Sequence, residues 1–108
     1  MSIVDNLEKM LAQGQDTALL RYTLGGEYLK SGDPASAVVH LAEAVRQDPQ
    51  YSAAWKSYGR ALTETGRLRE AKEVYMQGIT TAETRGDLQA AKEMRVFLRR
   101  LQKTKQSP

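Results

Sequence analysis

The sequence predicts an all-α fold of about six helices, arranged as antiparallel helix–turn–helix repeats. Three observations carry this. Apolar residues recur at helical spacing in successive segments. Glycines and Asp-Pro pairs punctuate those segments. The chain also matches itself at an offset of 34 residues.

The first segment opens on Ser2 and Asp5, a capping-box pattern. Val4, Leu7 and Leu11, with Ile3 and Met10 beside them, form its apolar stripe, and Gly14 closes it. Asp16 is expected to cap the second helix, which carries Leu19, Leu20, Leu24, Tyr28 and Leu29 to about Ser31. Gly32 ends that helix, because glycine alone takes the left-handed conformation cheaply. Asp33-Pro34 starts the third helix, with Asp33 as N-cap and Pro34 at the first helical position, where a missing N–H costs nothing. Its apolar residues are Ala37, Val38, Leu41, Ala44 and Val45.

Asp48-Pro49 breaks the chain again. The fourth helix carries Ala54, Trp55, Tyr58, Ala61 and Leu62 and stops at Gly66. The fifth, about Leu68 to Thr84, carries Ala71, Val74, Tyr75 and Ile79. Gly86-Asp87 precedes a last helix with Leu88, Ala91, Met94, Phe97 or Leu98, and Leu101. Turns of roughly two to four residues between helices force sequential neighbours to pack antiparallel. No stretch alternates with period two, so no sheet is expected.

Composition agrees and also excludes. The chain has 108 residues, 41% of them hydrophobic, enough for one domain with a modest core. Without cysteine it can form no disulfide, thiolate metal site or cysteine nucleophile. No apolar run approaches the roughly 20 residues that span a bilayer, so no membrane insertion is expected. The N-terminus lacks a basic start followed by an apolar block, so a cytoplasmic protein is expected.

The self-match pairs Gly25 with Gly59, Gly32 with Gly66 and Ala37 with Ala71. Gly25 and Gly59 fall mid-helix, where glycine costs about 1 kcal/mol relative to alanine. A repeated mid-helix glycine points to close approach of two helices.

These residues resemble the tetratricopeptide repeat, a 34-residue helix–turn–helix unit. Repeat 1 spans residues 18–51, with Leu24-Gly25, Tyr28, Gly32, Ala37, Leu41, Ala44 and Pro49. Repeat 2 spans residues 52–85, with Trp55, Tyr58-Gly59, Leu62, Gly66, Ala71, Tyr75 and Gly78. Residues 2–14 and 86–103 then cap the two ends of a single domain, 1–108, and 104–108 form a frayed polar tail. The pattern is broken at Arg21, where an aromatic is usual, and at Glu83, which replaces a closing proline and lengthens the fifth helix.

The resemblance implies a right-handed α-solenoid that holds a peptide or protein segment in its concave groove, with no cofactor and no catalysis. The family's groove positions map onto Tyr22, Gly26 and Leu29 in repeat 1 and Lys56, Ser57, Arg60 and Thr63 in repeat 2. Lys56 and Arg60 share a helical face with no acid four residues upstream, a pair suited to an acidic peptide or a carboxylate. The family's carboxylate-clamp subset, which grips chaperone C-termini, needs basic and asparagine residues. Tyr22, Gly26, Ser57, Asp87 and Ala91 stand at those positions instead.

Catalysis finds little support. The single histidine, His40, is expected to form a surface pair with Glu43, and no His/Asp/Glu cluster has metal-ligand spacing. From Lys92 onward six basic residues face one acid, Glu93. This stripe could touch nucleic acid or an anionic membrane surface, but the aromatics that stack bases are missing from it, and a solvated cap face is preferred. A homodimer or a structural subunit of a larger assembly remains the alternative to a binding adaptor.

Overall fold

The computed structural model describes residues 2–106, with side chains for residues 2–103. Six helices follow in order: α1 (Ile3–Ala12), α2 (Ala18–Lys30), α3 (Pro34–Gln47), α4 (Ser52–Glu64), α5 (Leu68–Arg85) and α6 (Leu88–Gln106). No strand occurs among the described residues. The all-α expectation holds.

Local chemistry sets most helix ends as expected. Ser2 Oγ accepts from the Asp5 amide at 3.1 Å, and Asp5 accepts from the Ser2 amide, completing the capping box. Asp33 caps α3 by accepting from the Ser36 amide, with Pro34 in the first turn. At the ends of α2 and α4, Gly32 and Gly66 take φ of +80° and +79°. There the amides of Asp33 and Arg67 donate back to the carbonyls of Tyr28 and Leu62, both at 2.9 Å.

Four expectations change. The N-cap of α2 is Thr17, whose hydroxyl accepts from the Leu20 amide at 3.1 Å. Asp16 lies one residue too early and instead grips Arg21 and Gln47. The link between α1 and α2 is five residues long, 13–17, rather than two to four. Leu88 is 68% exposed rather than core. Finally, α6 runs to Gln106, three residues past its expected end, while residues 107–108 of the expected tail lie outside the described residues.

Packing follows the repeat. Helices α2 and α3 form one antiparallel hairpin, and α4 and α5 a second. In each, the mid-helix glycine receives the side chain at the equivalent repeat position, 34 residues apart. A Cβ on Gly25 would sit 2.4 Å from Leu41 Cγ, and one on Gly59 would sit 2.4 Å from Tyr75 Cε1. Both approaches are closer than any side chain tolerates, so they explain glycine's place inside a helix. Leu24, Leu41, Leu62 and Met94 are the largest fully buried side chains.

The hairpins stack with α2 beside α4 and α4 beside α6, whereas α3 and α5 do not meet. The stack is therefore tighter along α2, α4 and α6, and that face is concave. The molecule measures 46 × 32 × 18 Å.

Glu83 has the expected consequence. Helix α5 has 18 residues where α3 has 14. It ends on Gly86 at φ +79°, with the Asp87 amide donating to the Ala82 carbonyl at 2.8 Å. This is the turn used within each repeat, and it folds α6 tightly back onto α5. Beyond it, Ala91 is wholly buried, like Ala37 and Ala71, each five residues after its turn glycine.

His40 is not a surface residue. It is 8% exposed, stacked on Tyr28, with Nδ1 3.2 Å from an Arg21 nitrogen and Nε2 3.8 Å from Glu8. Glu43, its expected partner, pairs instead with Arg46 and Gln47. Burial pushes the His40 pKa down, against the upward pull of Glu8. Arg21, which breaks the aromatic pattern, thus joins a polar network where the second repeat has Trp55.

Candidate functional site

The concave face carries a groove between α4 and α6, floored by α5. At one end, Arg60, Thr63, Glu64, Tyr75, Phe97, Arg100 and Leu101 enclose a cavity of about 370 Å³. A smaller depression of about 200 Å³ continues from it, lined by Lys56, Ser57, Arg60, Glu93 and Phe97. Arg60 and Phe97 belong to both, so the two form one groove.

Its floor is aromatic for a packing reason. Tyr75 is 2% exposed because its ring fills the space left by Gly59. Burial raises its hydroxyl pKa, and a hydrogen bond with Thr63 partly offsets that rise. Phe97 lies 5.8 Å from the Tyr75 ring, tilted by 37°. Arg100 extends over Phe97, its Cζ 5.7 Å from the ring centroid. Thr63, also in the lining, donates its hydroxyl to the Gly59 carbonyl at 2.8 Å.

The rim is ionic. Lys56 Nζ donates to Glu93 Oε1 at 2.8 Å, and Arg60 Nε donates to Glu64 Oε2 at 2.7 Å. The expected pair of uncompensated cations is therefore corrected. One acid comes from α6, 37 residues on, and the other lies one turn downstream rather than upstream. Lys56 holds the Glu93 carboxyl below its ordinary range. The Arg60–Glu64 pair is exposed and the Lys56–Glu93 pair half-exposed, so solvent screens both and each contributes little to stability. They can be exchanged for a ligand carboxylate at little cost. Beyond the cavity, Arg99, Arg100 and Lys103 flank a third depression with Val96. Five cations thus face two carboxylates across these linings.

The other expected groove residues divide. Ser57 and Thr63 are half-buried in or beside the groove. Gly26 faces open space, since a Cβ there would touch nothing within 4 Å. Tyr22 is half-buried with its ring 4.9 Å from Tyr51, so it packs on the α3–α4 turn. Leu29 is 7% exposed and belongs to the core. It presents nothing to a ligand, because its helix turns it toward α3.

The missed residues are Tyr75, Phe97, Arg100 and Leu101. Their signal was present but displaced. From the start of α3 to the start of α4 is 18 residues, and from α5 to α6 it is 20. The longer α5 moves α6 out of the 34-residue register, so α6 reads as a mere cap although it packs beside α4 as α4 does beside α2. The repeated turn glycine and following alanine (Gly86 and Ala91) could have revealed it.

A tetratricopeptide-repeat family model matches residues 28–94. The chain belongs to the tetratricopeptide-repeat family. It is 50% identical over 103 residues to the TPR repeat-containing protein PA0015 of Pseudomonas aeruginosa, covering 95% of this chain and 98% of that one. It also resembles the solution structure of protein BPP2914 from Bordetella parapertussis, with a TM-score of 0.83 and 43% identity over 96% of this chain and 90% of the other. A tetratricopeptide-repeat domain protein from Salinibacter ruber superposes with a TM-score of 0.74 at 25% identity, covering 81% of this chain and 97% of its own. Tetratricopeptide-repeat domains are generally protein-interaction modules, which gives the groove its context. No helix among the described residues is long and apolar enough to cross a membrane.

Proposed function

We propose that this chain is a protein-binding module that holds a peptide or protein segment along its concave face, and that it is not an enzyme. The observation that carries this reading is the groove between α4 and α6, an aromatic floor between ionic rims. The half-buried Phe97 ring, backed by the buried Tyr75, supplies apolar contact area, and rim charges select orientation. Tyr22 and Gly26 extend the same face along α2, so Tyr22, Gly26, Lys56, Ser57, Arg60 and Thr63 make up the working surface. Leu29 contributes only by supporting it.

The test is a comparison of two faces. Lys56→Glu with Arg60→Glu alters the groove. Val39→Glu with Met76→Glu alters α3 and α5, where both residues are already exposed. Partners captured by the tagged wild-type chain are identified by mass spectrometry. The groove variant is expected to lose them, and the control to keep them. Loss from the control alone would move the site to the α3–α5 face.

A further inference from the structure

We infer that the cavity between α4 and α6 is an anchor site for one apolar side chain of an acidic peptide segment. This rests on the binding-module reading above and adds the chemistry of the occupant. Three observations lead to it.

The first is size. Ligand pockets commonly run from about 300 to 1,000 Å³. At about 370 Å³ this one lies at the small end of that range and has room for a leucine- to phenylalanine-sized side chain. The second is lining. The Tyr75 and Phe97 rings and the Leu101 side chain meet there, and Tyr75 and Leu101 are themselves held in the core. An incoming ring or isobutyl group would find apolar contact on several sides and rigid walls.

The third is charge. Arg60 rises from the α4 wall and Arg100 from the α6 wall, and Arg99 and Lys103 continue the basic surface along α6. Glu64 is the acid in the cavity lining, and Arg60 engages it through an exposed pair. A segment crossing the cavity therefore passes between cations on both walls. Acidic side chains on either side of the anchor match that field. A single terminal carboxylate could engage the cations of one wall only, whereas acids on both sides of the anchor reach Arg60 on α4 and Arg100 on α6. The occupant is thus an internal acidic segment with one large apolar residue.

The test uses the full chain, labelled for NMR, and four peptides. The probe is a pentapeptide blocked at both ends, with a central phenylalanine flanked by aspartates. The second has alanine at its centre, and the third has lysine flanks. The fourth has serine flanks and a free C-terminal carboxylate. The probe should shift the backbone amides of Thr63, Tyr75, Phe97 and Leu101. Central alanine should weaken binding about 10- to 100-fold, the loss expected from one buried ring. Lysine flanks should abolish it, and added salt should weaken the probe's binding.

Thr63→Trp blocks the cavity from its edge and should remove the shifts. Arg60→Glu with Arg100→Glu leaves the apolar floor and should weaken the probe at least about tenfold. Equal binding of the serine-flanked peptide would overturn the internal acidic segment. Shifts elsewhere, or none, would overturn the anchor site. A captured partner that tolerates Thr63→Trp but not Lys56→Glu with Arg60→Glu would sink the anchor while leaving the binding module standing.

Discussion

Helix α1 covers one end of the stack without fully burying a single residue, whereas α6 covers the other and buries Ala90, Ala91, Met94 and Leu101. Both read in the sequence as end caps. Their attachments differ in kind. Helix α1 follows a five-residue link, rests a half-buried stripe on α2, and is tied down by Glu8, which accepts from the Tyr28 hydroxyl at 2.6 Å. Helix α6 follows a two-residue turn and interlocks with α5, where Gly78 makes room for Met94. Apolar interlocking makes α6 part of the core and a wall of the groove. A half-buried stripe and one polar tie leave α1 an accessory to the core.

The sharpest way to break this comparison is to remove one apolar side chain from each end. Met94→Ala should cost about 2–5 kcal/mol, since a fully buried side chain leaves a cavity. Leu7→Ala, at a half-buried position, should cost less than half as much. Equal shifts in urea midpoint would show that α1 is as integral as α6.

Glycines probe the same contrast with smaller effects. A Cβ on Gly78 would lie 2.6 Å from Met94 Sδ and 2.8 Å from Trp55 Cβ. Gly78→Ala should therefore destabilise, as overpacking of about 1–3 kcal/mol outweighs the roughly 1 kcal/mol gained in helix propensity. Gly26→Ala, on the helix against which α1 rests, meets nothing and should stabilise by about 0.5–1 kcal/mol. Thermal melts of the two variants should move in opposite directions.

The polar tie of α1 makes a prediction about pH. Hydrogen bonding to Glu8 pushes the Tyr28 pKa from 10.0 up to about 12. A raised pKa favours the protonated phenol in the folded state. Its contribution is therefore complete below pH 10 and is lost as pH climbs toward 12. Carbon NMR of the Tyr28 Cζ should follow this titration, with α1 amides losing exchange protection in the same window. Glu8→Gln should bring the titration down toward pH 10 and cost about 0.5–1.5 kcal/mol at neutral pH. An unmoved Tyr28 titration would remove Glu8 from the attachment.

The smallest expected effect is at the α4–α6 rim. Glu93→Gln breaks the solvent-screened pair with Lys56 and should change stability less than any of the variants above. Partner capture should survive or improve, because Lys56 is then released toward the groove. A larger loss of stability would mean that the ion pair, not the buried face, holds α6.

The features legible in the sequence come from neighbours within a few residues or from the 34-residue repetition. Ser2 with Asp5, Asp33 with Pro34, and the left-handed turns at Gly32 and Gly66 act over a single helical turn. Gly25 and Gly59 declare a close approach because glycine is costly inside a helix. The pairing of residues with partners at long range was not legible. Leu29 sits on the right helix but turns into the core, and Lys56 meets Glu93 across helices. His40 meets Glu8 and Arg21 rather than Glu43.

What local chemistry decided was thus the set of helices, their ends and the repeated hairpin. What only the stacked chain decided was which wall of which groove each side chain joins. The two-residue change in spacing ahead of α6 shows why. Backbone turns are set by the few residues in them, but a helix's rotation against its neighbours is set by burial of its whole apolar face. That rotation placed Phe97 and Arg100 opposite Arg60 and made a cap into half of a candidate binding site.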